Sequence, residues 1–272
     1  MDYSEERLKK LHLILLELLE YVDSICKQNN LQYLLIGGTA LGARRHRGFI
    51  PWDDDIDIGL PREDYEKLLG ILKSRNDGYS VQDETNEDNY FCPFAKLRKN
   101  GTIFCEKISQ GLYKNNGIYI DIFPIDTMND CSSMLARINL NIIKLLNHAL
   151  RFRYCRELYC EGSKINTFKN WLLYFPFALF SRDFIMKKLK KRMLLQNNNE
   201  KKYAGNLAGT NKIEREIMDY DVFYPIRELE FEGKMLPCPN KIDTYLENLY
   251  GDFMILPPIE KRRTHEPLEL KF

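Results

Sequence analysis

Several features that mark whole classes of protein are missing from the sequence. None of its seven cysteines forms a Cys-x-x-Cys pair, so we expect neither a disulfide framework nor a zinc knuckle. No apolar run reaches the roughly 18 residues that a membrane-spanning helix needs. The formal net charge is only +1, which argues against a protein that coats nucleic acid. The first residues are charged rather than basic and then apolar, which predicts no secretory signal peptide.

The composition that remains is typical of a folded protein. The chain of 272 residues is 44% hydrophobic and 29% charged, so it can build a core and keep a charged surface. This length suffices for one large domain or for two modest ones. Because the cysteines are scattered and odd in number, a reducing cytoplasm is the expected location.

A cluster of acids is the most informative feature. Four carboxylates fall within five residues, at Asp53, Asp54, Asp55 and Asp57. Adjacent acids repel one another, and strands are normally poor in Asp. Ile56, Ile58 and Leu60 alternate with Asp55 and Asp57, which is the period of a strand with one buried face. The two carboxylates then point the same way, with Cα atoms about 6.5–7 Å apart. Such a pair can bind one or two hard divalent cations such as Mg²⁺.

A pair of glycines lies upstream of the acids. Gly37 and Gly38 follow a strand predicted over residues 32–36 and precede a short helix predicted over 39–46. This arrangement aims backbone N–H groups and the positive end of the helix at one point, which suits a phosphate. The basic residues 44–47 lie beside it, either as phosphate contacts or as a solvated helix end.

A second candidate stretch is the apolar strand predicted over residues 117–124, which carries a single acid, Asp121. A continuous apolar run is typical of a buried central strand, and a buried Asp is costly unless it is paired or binds a metal. Asp121 is therefore the predicted third ligand, with a helix cap or an Arg partner as the alternative. Asp126 follows Pro124 in a predicted loop and receives less weight.

The other elements are predicted from periodicity. An amphipathic helix is expected over residues 4–29, a helix after Pro61, and a strand over 79–81. A hairpin is expected from strands 91–98 and 102–106 around Asn100-Gly101. In its first strand, Lys96 and Arg98 share one face, which either binds a phosphate or is the solvent-exposed face of the strand.

The middle and end of the chain are predicted to contain further helices and one strand. Helices are predicted over 132–160 and 165–195, then a strand over 229–236 and a helix over 241–249. Residues 171–192 join an aromatic run to a basic cluster, which predicts either a peripheral membrane contact or, preferably, a helical region with a solvated face. We expect a core in 1–130, a helical region in 131–200, and a final part in 201–272 that completes the core.

Four stretches together resemble the LicD family, which includes bacterial phosphorylcholine transferases and is related to the animal fukutin-related proteins. They are Gly37-Gly38-Thr39, residues 47–57, residues 117–124 and the tail 250–258. The resemblance implies an α/β (α+β) fold: a nucleotidyltransferase-like mixed-sheet core with an inserted or appended helical region. It extends over residues 30–265 but gives no counterpart for the middle helices.

The resemblance also implies roles for individual residues. Asp55, Asp57 and Asp121 match the catalytic, metal-binding acids, with Asp53 as an outer ligand or substrate contact; Asp54 is expected to face away. The implied cation is Mg²⁺, with Mn²⁺ as the alternative. The resemblance implies a phosphate contact at the Gly37-Gly38-Thr39 turn. From the residues themselves we expect further contacts to the donor phosphates or the glycan from Arg47, Lys96, Arg98 and His265.

The activity implied by the resemblance is transfer of a phosphorylated alcohol, foremost phosphocholine, from a cytidine diphosphate (CDP) conjugate. The acceptor would be a sugar hydroxyl of a cell-surface glycan or its lipid-linked precursor. Two other functions remain open: a nucleotidyltransferase that releases pyrophosphate, and a non-catalytic nucleotide-binding protein with the same fold.

Overall fold

The computed structural model describes residues 5–155, 170, 172–195, 200–209, 211–262 and 267–272. The helices are α1 (Glu5–Gln28), α2 (Gly37–His46), α3 (Arg62–Lys73), α4 (Met134–Tyr154), α5 (Arg182–Leu194), α6 (Ile213–Glu216), α7 (Tyr220–Phe223) and α8 (Ile242–Tyr250). The strands are β1 (Leu34–Leu35), β2 (Asp57–Pro61), β3 (Tyr79–Gln82), β4 (Ala95–Lys99), β5 (Ile103–Cys105), β6 (Tyr119–Met128), β7 (Tyr203–Gly205), β8 (Ile217–Asp219), β9 (Arg227–Phe231), β10 (Lys234–Cys238) and β11 (Glu269–Lys271).

A mixed sheet with β6 at its centre organises the fold. Its main path has the order β1-β2-β6-β4-β3, and β6 also pairs with β7, which pairs with β8. β2 runs parallel to β6, whereas the other pairs in this sheet are antiparallel. The predicted α+β class is confirmed.

Two helices cover the back face of this sheet. Lys99 of β4 donates to Glu17 of α1, and Asp126 of β6 accepts two hydrogen bonds from Arg62 of α3. Side chains alternate between the faces of a strand. Asp121, five residues before Asp126, therefore projects from the opposite, front face.

The helix α1 follows from its apolar stripe. Its buried side chains recur at helical spacing and include Leu11, Leu15, Leu18, Val22 and Ile25. Glu5 and Glu6 occupy the first turn and Lys27 the last, as the helix dipole favours. The predicted helix over 4–29 is thus confirmed to within a residue at its C-terminal end.

The structure differs from several predicted boundaries. β1 is only two residues long, and both glycines of the pair belong to the first turn of α2. β4 begins four residues later than the strand predicted over 91–98, and β5 lies within the strand predicted over 102–106. The predicted hairpin was wrong, because β5 pairs with the C-terminal β11. The strand predicted over 229–236 is instead the hairpin β9–β10, which turns at Glu232-Gly233 with φ values of 50° and 75°.

The predicted loop at Asp126 was also wrong. Asp126 lies within β6, is 0% exposed, and forms a bidentate ion pair with Arg62 at 2.6 and 2.9 Å. The reason is that β6 continues past Pro124: its later residues pair with β7 instead of β4.

The helices α4 and α5 pack on each other and join the same hydrophobic cluster as the sheet. Each begins at a serine, Ser133 or Ser181, whose hydroxyl accepts a hydrogen bond from the backbone N–H three residues on, a common N-cap. Within the described residues, no helix is long and apolar enough to cross a membrane. The division at 130 and 200 remains a prediction.

Candidate active site

A row of polar side chains crosses the front face of the sheet. Asp57 of β2 is the register partner of Asp121 on β6. Asp121 is in turn the partner of Lys96 on β4, and Lys96 is the partner of Gln82 on β3. Register partners in neighbouring strands project side by side. The parallel β2–β6 pairing therefore brings together two acids that are 64 residues apart in the sequence.

Lys96 is held in this row by an anion and an aromatic ring. Its ammonium lies 2.7 Å from Asp121 Oδ1 and 3.5 Å from the centre of the Tyr119 ring. The side chain of Lys96 is only 8% exposed. Such a buried cation needs a partner, and Asp121 supplies it.

The remaining acids approach the row from the segment before β2. Carboxylate oxygens of Asp53, Asp54 and Asp55 lie within 4.8 Å of one another. Asp54 and Asp55 line one cavity together with Asp57 and Asp121. The expectation that Asp54 faces away was wrong, because residues 53–56 are not yet in the strand and need not alternate. Asp53 lies at the same segment's start, against α2.

The glycine pair allows α2 to begin directly against these acids. A Cβ added at Gly37 would lie 2.9 Å from Asp57 Oδ2, and one at Gly38 would lie 2.9 Å from Asp53 Oδ2. Gly37 also has a φ of 55°, which glycine adopts without strain. Thr39 Oγ1 accepts a hydrogen bond of 2.8 Å from the Asp57 backbone N–H. The start of α2 thus fixes the position of β2.

Crowding and burial raise the pKa values of two of these carboxyl groups. Burial, followed by the charges of Asp55, Asp121 and Asp53, raises the pKa of Asp57 well above its usual range. Burial also raises the pKa of Asp121, although the Lys96 ammonium opposes this rise. A nearby cation favours the charged form of such groups. The crowded oxygens therefore fit a hard divalent cation.

The predicted phosphate contacts are not all brought together. Lys96 lies in the site, but Arg98 is 1% exposed and its guanidinium donates to Gln82 Oε1 and the Gly117 carbonyl. Arg47 follows the last turn of α2, about 15 Å along the helix from Gly37, with its side chain 3.8 Å from Glu230. His265 lies outside the described residues.

The cavity beside the acids has a volume of about 290 Å³ and an aromatic wall. Its rings belong to Phe91, Phe94, Phe104, Tyr113, Tyr119 and Phe123. Glu106 and Arg151 also line it, and Glu106 accepts a hydrogen bond of 2.9 Å from the Tyr119 hydroxyl. These residues were not predicted, because their spacing in the sequence indicates only core packing.

Comparison with known proteins agrees with this geometry. The family model described as LicD/FKTN/FKRP, nucleotidyltransferase domain, matches residues 30–176, more than half of the chain. The chain belongs to the LicD family. The matched range contains the glycine pair, the acids of residues 53–57, Asp121 and the helix α4. The LicD resemblance and the expected LicD-like phosphotransferase class are thereby confirmed.

Two relatives show how far the likeness to LicD proteins extends. The chain is 28% identical over 263 residues to the lipopolysaccharide cholinephosphotransferase LicD of Haemophilus influenzae, an alignment that covers 95% of both chains. It is 44% identical over 117 residues to the mouse ribitol 5-phosphate transferase FKRP, which covers 42% of this chain and 20% of that protein. The first likeness includes the C-terminal part, which the LicD family model does not reach.

Proposed function

We propose that this protein is a Mg²⁺-dependent transferase that moves phosphocholine from CDP-choline to a sugar hydroxyl. The observation that carries the proposal is the cavity in which the crowded acids adjoin an aromatic wall and Glu106. The carboxylates can bind the metal ion that neutralises a diphosphate, and the aromatic rings can contact the quaternary ammonium of choline. The acceptor is a cell-surface glycan or its lipid-linked precursor, in keeping with the glycolipid named in the Haemophilus relative.

The residues that would hold Mg²⁺ are Asp55, Asp57 and Asp121, with Asp53 and Asp54 beside them; Mn²⁺ is the alternative ion. When bound, a divalent ion would partly neutralise the negative charge of the donor diphosphate. The raised pKa values of Asp57 and Asp121 support this assignment, because the charged forms lack sufficient counter-charge from the described residues alone.

The chain's own groups position the reactants and move a proton. The start of α2 lies against the acids, and the positive end of a helix favours a phosphate, although the Gly37 N–H itself donates to the Tyr245 hydroxyl at 3.0 Å. Asp121, which lies beside Asp57 of β2 in the sheet register, accepts the proton of the attacking sugar hydroxyl as general base. Lys96 orients the Asp121 carboxylate through its 2.7 Å contact with Oδ1.

The wall of the cavity favours choline over an alditol. A quaternary ammonium has no N–H to donate and is attracted by aromatic faces and by a carboxylate such as Glu106. The hydroxyls of ribitol would need several polar partners. The six rings themselves supply only the hydroxyls of Tyr113 and Tyr119, and the Tyr119 hydroxyl already donates to Glu106. We expect turnover of CDP-choline to exceed that of CDP-ribitol at least tenfold (about 1.4 kcal/mol). Glu106→Gln should raise KM for CDP-choline, and equal use of both donors would contradict this choice of substrate.

The transferase reaction is tested by Mg²⁺-dependent release of cytidine monophosphate (CMP) from CDP-choline. Asp57→Asn should lower the rate by at least about 100-fold, because it removes an oxygen of the metal site. Asp221→Asn, an exposed acid that pairs with Lys241 at 2.6 Å, is the matched control and should keep the rate. Release of pyrophosphate from a nucleoside triphosphate would instead support a nucleotidyltransferase. Failure to bind any nucleotide with Mg²⁺ would support a non-catalytic protein.

Peripheral membrane contact is proposed for the part of residues 171–192 that the structure describes. Leu172, Leu179 and Phe180 are 62%, 84% and 45% exposed, and Lys188 lies beside Phe184. Apolar side chains next to cations suit an anionic lipid surface. The protein should therefore float with anionic liposomes, and Leu179→Glu should reduce flotation. Met235→Glu, at an exposed apolar side chain of β10, should leave it unchanged. Absence of flotation would remove this proposal.

A further inference from the structure

A second chamber lies beside the cavity of the acids. It has a volume of about 300 Å³ and lies between α4 and residues of 206–209 and 211–213. Arg151 and Gly209 line both chambers, and we call these two residues the junction. A Cβ added at Gly209 would lie 3.0 Å from Asn206 Nδ2, so glycine allows this segment to pack closely on the Asn206 side chain.

The junction is held in a fixed conformation. Asn206 Oδ1 accepts hydrogen bonds of 3.0 and 3.1 Å from the backbone N–H groups of Ala208 and Gly209. Asn147 Nδ2 donates to the Gly209 carbonyl at 3.1 Å. The wall opposite α4 is therefore preorganised before any ligand arrives.

Two buried polar atoms, on side chains that line this chamber, have no hydrogen-bond partner in the described part of the chain. They are Arg151 Nε, a donor, and Asn147 Oδ1, an acceptor. Asn147 and Arg151 are four residues apart on α4, so their side chains lie on one face of the helix. Leaving such groups buried and unsatisfied costs free energy, and a ligand with an anionic oxygen and a hydroxyl would satisfy both.

The charge of the chamber favours an anion. Lys144 lies about one turn before His148 and two turns before Arg151 on the same face of α4. Burial, with Arg151 and Lys144, lowers the pKa of His148, so the cations at neutral pH are Arg151 and Lys144. On the side of this chamber, the acids near them are Glu214, exposed and 4.0 Å from Lys144, and Glu216, which is bonded to Asn211 at 2.7 Å. On its other side Arg151 adjoins the cavity lined by Glu106 and the crowded aspartates.

We propose that Arg151, Asn147 and Lys144 form a binding site for a sugar phosphate that also reaches the acids. The phosphate binds to Arg151, and a sugar hydroxyl donates to Asn147 Oδ1. Two ligands of the proposed transferase share this chemistry: the ribose phosphate of the donor nucleotide and a phosphorylated saccharide acceptor. The inference rests on the proposed function only in naming these two sources.

The test is calorimetric titration with CMP and, separately, with glucose 1-phosphate, in EDTA so that no divalent cation contributes. The wild type should bind at least one of them. Arg151→Gln should weaken that binding at least tenfold, as loss of a charge-assisted hydrogen bond does. Arg151→Lys should restore part of the affinity, and Lys144→Gln should weaken it two- to fivefold. The matched control is Arg153→Gln, an exposed arginine on another face of α4.

Selective loss of CMP binding would assign the chamber to the donor, and selective loss of glucose 1-phosphate binding would assign it to the acceptor. The proposal is overturned if the wild type binds neither, or if Arg151→Gln and Lys144→Gln match Arg153→Gln within twofold. Thermal unfolding of each variant excludes misfolding as the cause, and Arg151→Lys covers a misfolded Arg151→Gln. If binding depended on Arg151 but the protein released no CMP from CDP-choline, the proposed transferase activity would be refuted while this binding site would be supported.

Discussion

At the scale of single residues, the site depends on where a side chain is missing. Gly38→Ala places a methyl group only 2.9 Å from Asp53 Oδ2, which is closer than the two atoms can approach without a shift. We expect Asp53 to be displaced and CMP release to fall at least tenfold, while the fold persists because Gly38 is in the first turn of a helix. The readouts are the rate of CMP release and thermal unfolding.

Gly70→Ala is the control for that substitution. Gly70 lies in α3, is exposed, and has no atom within 4 Å of an added Cβ. Ala is favoured over Gly within a helix, so we expect stabilisation by about 0.5–1 kcal/mol and an unchanged rate. If Gly38→Ala behaved like Gly70→Ala, the close approach of α2 to the acids would have no role in the reaction.

Glu216 gives a prediction for the pH dependence of stability. Burial raises its pKa from 4.5 to about 7. The folded protein therefore binds a proton more tightly than the unfolded chain, so this group's contribution to stability falls as pH rises from about 4.5 to about 7. Glu216→Gln should remove that loss and be about 3 kcal/mol more stable than the wild type at pH 8, measured by urea unfolding. Glu214→Gln, at an exposed position, should show no such gain. If the free energy of unfolding of Glu216→Gln varied with pH as that of the wild type does, the raised pKa of Glu216 would be contradicted.

At the scale of elements, the buried ion pair between α3 and β6 should matter more than exposed pairs. Asp126→Asn removes the buried counter-charge of the Arg62 guanidinium, whose side chain is 10% exposed, and leaves only the exposed Glu66 at 3.6 Å. The expected cost is about 3 kcal/mol in the free energy of unfolding. Asp243→Asn breaks the exposed pair with Arg44 and should cost less than about 1 kcal/mol. Equal costs would show that the pair does not anchor α3.

Local pattern predicted the elements better than it predicted their partners. The lone acid in an apolar strand led us to expect Asp121 beside the other acids, because burial makes an unpaired acid costly, and Asp121 is indeed the register partner of Asp57. Its role as a ligand remains a prediction. The pairing of β5 with β11 could not be predicted, since Phe104 and Leu270 are register partners 166 residues apart. Lys96 and Arg98 were assigned to a wet or phosphate-binding face, but side chains beyond the sheet bury that face.

The same limit applies to the cavity walls. Phe104 and Tyr113 look like ordinary core residues, and Arg151 looks like one basic residue of an amphipathic helix. Only the tertiary packing brings α4 against the front of the sheet. Spacing can identify residues that share a strand or a helix face, but not which faces enclose a cavity.

At the scale of the whole molecule, one cavity draws on all three predicted segments. Asp121 lies within 1–130, Arg151 within 131–200 and Gly209 within 201–272. The helices α4 and α5 also share one hydrophobic cluster with the sheet. The helical region should therefore not unfold on its own.

This arrangement predicts how a ligand affects unfolding. CDP-choline with Mg²⁺ at 100 times its Kd should stabilise the folded state by about 2.7 kcal/mol. Because the ligand would contact all three segments, far-ultraviolet and near-ultraviolet circular dichroism should report one thermal transition, shifted equally in both. Two transitions, with only one of them shifted by the ligand, would contradict a cavity built from all three segments. They would favour a helical region that folds separately from the acids.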